Sequence, residues 1–311
     1  MKGVVLAAGK GTRLYPVTRV IPKPLLPIAN RMTLEYAFDQ LKGCGISDVC
    51  VVIGDNEPLI REALGDGSAF GIRLDYVRQL EPKGLAHAVG FAKDFVAGDD
   101  FVLYLGDAIY DRPLEPHVCR FRESKCANLN LVKPVDDPRR FGVANVDGER
   151  IVKLEEKPAE PESNLAMAGM YVFGPQIWTV LPELQPSARG EYEITDAIQL
   201  LIDQGHIVLA GVYDGEWFDT GTLDSFLSTT RHILGGESLV ASGAVVEGPV
   251  GTNVVIGEGA KVVCPHGLED TVVLPGAELD ASGPVRHCLV GGRVVSPQGL
   301  ENAVRYGDLD A

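Results

Sequence analysis

The feature that most constrains this chain is a short apolar stretch near its start that runs straight into a glycine-rich turn. Residues 3–7 carry no charge, and Ala8-Gly9-Lys10-Gly11-Thr12-Arg13-Leu14 follows at once. An apolar run without polar alternation suits a parallel strand covered on both faces, which requires helices on either side of a sheet. The following segments comply. Residues 33–42 place Leu34, Phe38 and Leu41 on one helical stripe, 48–54 and 73–79 read as strands, and 85–95 reads as a helix. Phe101–Leu105 is an apolar strand ending at Gly106-Asp107. This β-α-β rhythm predicts an α/β fold built on an open, mostly parallel sheet.

The rhythm changes near Asn128. Residues 143–146 and 151–154 flank Asp147-Gly148, a hairpin signal. Residues 193–203 form a helical pattern with Ile194, Ala197, Ile198, Leu201 and Ile202 on one face, and a last helix over Leu223–Leu234 ends at Gly235-Gly236. Beyond it, Val250, Ile256, Val262, Leu268 and Leu274 recur every six residues. That period predicts a short left-handed parallel β-helix, each flat face giving one inward residue. The phase is lost where Asp280 and Arg286 take the next steps, so an irregular small β-domain is the alternative. The expected division is 1–235 and 236–311, with about 18 residues per coil and about four coils in the tail.

Hydrophobic residues make up 45% and charged residues 23%, the balance of a globular chain with a full core. A net charge of −15 argues against a surface for nucleic acid or anionic lipid, and requires that any small anionic substrate meet locally concentrated cations. No apolar run reaches the roughly 18–20 residues of a membrane span. The apolar start is too short for a secretory signal, so a cytoplasmic location is expected. Six cysteines without CxxC or zinc spacing read as reduced thiols.

A glycine-rich turn after a buried strand suits phosphate, because bare backbone N–H groups can approach an anion. The spacing is not that of a Walker A loop, and Leu14 stands where a dinucleotide fingerprint needs its third glycine. The continuation is more specific. Residues 9–18 read Gly-Lys-Gly-Thr-Arg-Leu-Tyr-Pro-Val-Thr, followed by Pro22-Lys23-Pro24-Leu25-Leu26-Pro27. Then come Gln79 with Pro82-Lys83-Gly84-Leu85-Ala86, Leu105-Gly106-Asp107, Phe141-Gly142-Val143 and Leu154-Glu155-Glu156-Lys157-Pro158. Gly190-Glu191, Glu193-Ile194-Thr195-Asp196 and Trp217-Phe218-Asp219-Thr220-Gly221 complete the set. In this order the motifs resemble the sugar-1-phosphate nucleotidyltransferases, and most closely the long-form glucose-1-phosphate thymidylyltransferases. The resemblance runs from residue 2 to about 234, with a tail similar in kind to the family's hexapeptide extension but shortened.

The resemblance implies a Rossmann-like nucleotidyltransferase domain, a nucleoside triphosphate (dTTP or UTP) and a sugar-1-phosphate as substrates, and Mg2+ as cofactor. A sugar-phosphate oxygen attacks the α-phosphorus and pyrophosphate leaves. The nucleophile is already anionic, so positioning and charge neutralisation matter more than a general base. It implies that Arg13 holds the β- and γ-phosphates, Lys23 reaches the α-phosphate, and Lys157 grips the sugar phosphate. Glu156 takes sugar hydroxyls, with Gly142 and Trp217 in the same pocket. Leu6, Ala8, Gly9, Gly11 and Thr12 line the nucleotide, Gln79 and Gly84 face the base, and Asp107 and Asp219 hold the metal.

Two departures bear on substrate choice. Ala8 stands where thymidylyltransferases usually have a second glycine, a form also found in uridylyl relatives, and Ala108 follows the metal aspartate where asparagine is common. Gly84-Leu85-Ala86 favours dTTP over UTP. Other readings are a non-catalytic sensor of sugar nucleotides and an acyltransferase tail using His266 or His287. The apolar edges of the tail suggest packing on the catalytic domain or on a neighbouring subunit of a homo-oligomer.

Overall fold

The computed structural model describes residues 1–309, and the chain divides into two compact units. The first comprises Met1–Gly9 and Tyr36–Trp217; the second comprises Lys10–Glu35 and the chain from Phe218 onward.

The first unit is organised by one nine-stranded sheet. Its strands are β1 (Lys2–Leu6), β2 (Asp48–Ile53), β3 (Arg73–Arg78), β4 (Phe101–Leu105), β5 (Asn128–Pro134), β6 (Gly142–Asp147), β7 (Arg150–Glu156), β8 (Leu165–Phe173) and β9 (Val208–Val212). They lie in the order β3-β2-β1-β4-β8-β5-β9-β7-β6. Strands β3, β2, β1 and β4 pair in parallel, as do β5 and β9, and only β7 and β8 run against the rest. The predicted hairpin at Asp147-Gly148 supplies the reversal at β7. Val4, Val5 and all of Val49–Ile53 are fully buried, which accounts for the unbroken apolar runs in those strands. The helix expected over 85–95 is two, Leu85–Gly90 and Lys93–Val96. Among the described residues, no helix is long and apolar enough to cross a membrane.

In the second unit, Lys10–Glu35 forms three short 3-10 turns, Thr12–Leu14, Val17–Arg19 and Lys23–Leu25. The helix Leu223–Leu234 begins at a capping box between Thr222 and Ser225 and stops at Gly235 in the left-handed conformation, as the sequence predicted. After it come two parallel sheets. One stacks Leu239–Val240, Val255–Ile256, Leu268–Val273, Val285–Gly291 and Leu300–Tyr306; the other stacks Val245–Glu247, Lys261–Val263, Glu278–Ala281 and Arg293–Ser296. Register explains the broken six-residue phase. Ile256 aligns with Val273 and Val290, Val262 with Leu279 and Val294, and Leu268 with Val285 and Leu300. From Ile256 to Val290 the inward positions advance by six, six and then five residues, and the step on to Val294 is four, so a strict period drifts out of step after Leu268. The paired strands are offset by 15 to 17 residues against the 18 expected, while the isolated bridge between Val250 and Leu268 spans 18. Apart from Leu300, which is partly buried, these inward residues are almost fully buried, and they form a core separate from that of the large sheet.

The tail packs on the helix Leu223–Leu234 and on the turn Val17–Arg19. Asp270, His287 and Asn302 occupy one corner of successive turns, all with left-handed backbone. His287 Nδ1 lies 2.7 Å from Asp270 Oδ2 and its Nε2 lies 2.8 Å from Asp224 Oδ1, while Arg231 Nη2 meets Asp270 Oδ1 at 2.7 Å. The helix is thus fastened to the tail at both ends. Both nitrogens of His287, the histidine an acyl-transfer reading would use, are engaged in that fastening.

Candidate active site

The glycine turn begins where β1 ends. Leu6 is 9% exposed, Ala8 is half-buried, and Gly9 faces open space. Gly11 has a left-handed φ of 63°, and a β-carbon there would sit 3.0 Å from Lys23 Cβ and 3.2 Å from Thr18 Cγ2. The Gly11 carbonyl accepts from Thr18 Oγ1 at 2.7 Å and from the Leu14 amide at 3.0 Å. The turn is therefore folded tightly over Lys23, whose side chain is buried although charged. Thr12 and Arg13 stay exposed on the short helix that the turn starts.

Lys23 Nζ lies 3.8 Å from Asp219 Oδ1. A β-carbon on Gly221 would fall 2.6 Å from Arg13 Nη2 and 2.8 Å from Asp219 Oδ1, so guanidinium and carboxylate flank the same point. The second unit thus gathers Arg13, Lys23 and Asp219. These three come from segments some two hundred residues apart in the chain. Asp219 is partly exposed and offers hard oxygen donors of the kind Mg2+ takes alongside substrate phosphates, so the residue fits the ion.

The first unit carries two further groups. At the end of β3, Gln79 is buried, and its Nε2 lies 3.3 Å from the Gly84 carbonyl and 3.0 Å from His87 Nδ1. Tyr192 brackets this loop: its amide donates to Lys83 O at 2.8 Å and its carbonyl accepts from the Ala86 amide at 3.1 Å.

The other group surrounds the ends of β6 and β7. Glu156 lies 3.4 Å from Lys157 Nζ, accepts from Thr195 Oγ1 at 3.2 Å, and meets Arg189 Nη2 at 3.4 Å. Arg189 is held in turn by Glu193 at 2.8 Å. Gly142 lets these side chains close in, since a β-carbon there would reach within 2.5 Å of Thr195 Cγ2. Lys157 has a left-handed φ of 46°, and its amide donates to the Phe141 carbonyl at 3.0 Å. The Phe141 ring packs on Trp217 at 5.1 Å. Trp217 Nε1 is buried and has no hydrogen-bond partner among the described residues. Asp107 follows β4, beside Gly106, whose amide donates to Leu6 O at 2.9 Å.

The nucleotidyl transferase family matches residues 2–235. The chain belongs to that family. It is 44% identical over 79% of its length to the low-salt glycan biosynthesis nucleotidyltransferase Agl11 of Haloferax volcanii, covering 69% of that protein. It is 40% identical over 91% of its length to the glucose-1-phosphate thymidylyltransferase of Streptomyces griseus, covering 80% of it. The structure of UDP-glucose pyrophosphorylase complexed with UDP-glucose superimposes with a TM-score of 0.68 at 26% identity, over 75% of this chain and 98% of that one. The chain is a nucleotidyltransferase enzyme, with the mixed α/β fold of its relatives.

Two side chains of this nucleotidyltransferase were not singled out in its sequence. Arg189 immediately precedes the Gly190-Glu191 motif, and that adjacency was the available signal. His87 lies three residues after Gly84, one helical turn into Leu85–Gly90, where a side chain can return toward the loop.

Proposed function

We propose that this nucleotidyltransferase joins dTTP and glucose-1-phosphate, giving dTDP-glucose and pyrophosphate. The observation that carries the reading is the convergence of Arg13 and Lys23 on Asp219, which concentrates cations in a chain of net charge −15. The Streptomyces relative supports glucose-1-phosphate and thymidylyl transfer. UTP is the second reading, favoured by Ala8 and by the UDP-glucose pyrophosphorylase likeness.

In this reading the sugar-phosphate oxygen forms a bond to the α-phosphorus as the bond to the β-phosphate oxygen breaks, and no proton has to be removed from the nucleophile. Arg13 holds the β- and γ-phosphates and follows the charge onto pyrophosphate, a task suited to a permanently charged planar fork. Lys23, fixed by burial under the Gly11 turn, meets the α-phosphate. Gly9, with open space where a β-carbon would stand, and Thr12 leave backbone amides available to phosphate. Gln79 and Gly84 face the base. Lys157 grips the sugar phosphate, Glu156 accepts from sugar hydroxyls, and the buried Trp217 N–H donates to the sugar. Asp107 and Asp219 are assigned to Mg2+, which when bound offsets phosphate charge and orients phosphate oxygens. Pyrophosphate release over a matrix of dTTP, UTP, glucose-1-phosphate and amino-sugar-1-phosphates tests the assignment. The highest kcat/KM is expected for dTTP with glucose-1-phosphate; a clear preference for UTP would overturn the choice of base.

We further read 1–235 as the catalytic domain and the two C-terminal parallel sheets as faces of a short left-handed β-helix, which an experimental structure of opposite hand would refute. The exposed valines of the tail, among them Val240, Val245 and Val295, support a homo-oligomer, and the acidic charge argues against a nucleic-acid or anionic-membrane partner; light scattering should then give a multiple of the 33.3 kDa chain mass. Free thiols at all six cysteines support a cytoplasmic location, which recovery in the cytosolic fraction would check.

A further inference from the structure

Gln79 does not choose its own orientation. A carbonyl oxygen only accepts hydrogen bonds, so the Gly84 carbonyl, 3.3 Å away, fixes the nitrogen end of the Gln79 amide toward itself. The same nitrogen lies 3.0 Å from His87 Nδ1. Both amide hydrogens are thereby used. His87 Nδ1 must present its lone pair, which puts the proton of the neutral ring on Nε2. The group left over is Gln79 Oε1, which can only accept.

We infer that His87 is a positioning residue for nucleotide selection: it locks the Gln79 amide with its carbonyl free, so that the site takes a base with an imide N–H. Thymine and uracil carry that donor at N3. Cytosine has an acceptor there and would face Oε1 lone pair to lone pair. The inference rests on the reading of Gln79 as the base-facing residue and names the side chain that makes the reading selective.

The surroundings hold the ring in this role. His87 packs edge-on against Phe91 at 5.0 Å and stacks with Tyr192 at 6.1 Å. His87 and Tyr192 border a cavity of about 430 Å³ that also meets Lys83, Lys93 and Trp178. The titratable groups around the imidazole are Lys83 and Glu81 on the loop, Tyr192 ahead of the helix Ile194–Asp203, and Lys93 on the helix Lys93–Val96. Burial first, and Lys83 second, hold its pKa below the ordinary imidazole value. The neutral form is therefore the working one. Protonation would set Nδ1–H against the amide N–H, and turning the amide to escape would set Oε1 against the Gly84 carbonyl. Either result withdraws the acceptor from the base, so nucleotide KM should rise as pH falls through the His87 pKa.

The test is steady-state pyrophosphate release with dTTP, UTP and CTP varied at saturating glucose-1-phosphate, for wild type, His87→Leu, His87→Gln and Gln79→Leu. His87→Leu is expected to raise the dTTP KM about tenfold, with a much smaller change in kcat, and to narrow the dTTP-over-CTP ratio of kcat/KM about tenfold. His87→Gln supplies an acceptor that does not titrate; it should restore most of the KM and abolish its rise in acid. The inference is overturned if His87→Leu leaves KM and the CTP ratio unchanged while Gln79→Leu raises KM, or if His87→Gln keeps the acid-side rise. An unchanged dTTP KM in Gln79→Leu would instead remove the base-facing reading itself, and the inference with it.

Discussion

Asp219→Asn should lower kcat on the order of a thousandfold while the fold survives. The substitution keeps size and shape and removes one charge at the point where Arg13 and Lys23 converge. On the proposed reading the carboxylate does two things that an amide cannot. It offers an anionic oxygen to a divalent ion, and it balances a lysine that is only 8% exposed. Loss of the second role is modest, because the Lys23–Asp219 separation is 3.8 Å and the Asp219 side chain is 37% exposed, so solvent screens the pair. The first role is the larger, since phosphoryl chemistry without a metal leaves the crowded phosphate charge largely unopposed. The discriminating measurement is kcat at saturating substrates across a Mg2+ titration, beside a thermal melt. A variant within tenfold of wild type at all Mg2+ concentrations would end the metal assignment for Asp219.

Much of this arrangement was legible in the sequence because it is local. A strand buried on both faces must be apolar throughout, so β1, β2 and β4 announced themselves, and Gly235 closed the last helix where a left-handed cap was needed. Glycine positions were legible for the same reason. Gly11, for instance, is required by its own backbone and by the Lys23 side chain beneath it.

What was not legible depends on separations the sequence does not encode. A six-residue period describes flat faces of equal length, but some steps of the tail shorten to five or four residues, so the phase vanished although the inward stacks Ile256–Val273–Val290 and Val262–Leu279–Val294 continue. The association of Lys10–Glu35 with the chain beyond Phe218 was hidden as well, because neither segment carries a pattern naming the other. Arg189 and His87 were missed for a related reason. Each contacts a residue that the sequence did single out, Glu156 or Gln79, and such a contact shows only once that residue has coordinates.

Gly84→Ala should abolish useful nucleotide binding, raising the triphosphate KM about a hundredfold or more, and should also destabilise the chain. Two independent causes act together. The backbone at Gly84 has φ 101° and ψ 172°, a region essentially closed to residues with a side chain. A β-carbon would also lie 2.5 Å from the Tyr192 carbonyl oxygen and 2.8 Å from its nitrogen, and that backbone is pinned on both sides by its bonds to Lys83 and Ala86. Relief requires breaking one of those bonds or turning the Gly84 peptide, and turning it removes the carbonyl that orients Gln79. Strain and a lost hydrogen bond together amount to about 3 kcal/mol, or a fall in melting temperature of about 5 °C for a chain of this size. Gly9→Ala provides the contrast. Gly9 is not among the positive-φ residues and nothing lies within 4 Å of its would-be β-carbon, so the fold has no need of glycine there. That variant should melt within a degree or two of wild type and still raise the triphosphate KM, because only a bound phosphate would meet the added methyl. If Gly9→Ala binds nucleotide normally, the turn is not a phosphate cradle; if Gly84→Ala does so, the loop under Tyr192 does not face the base.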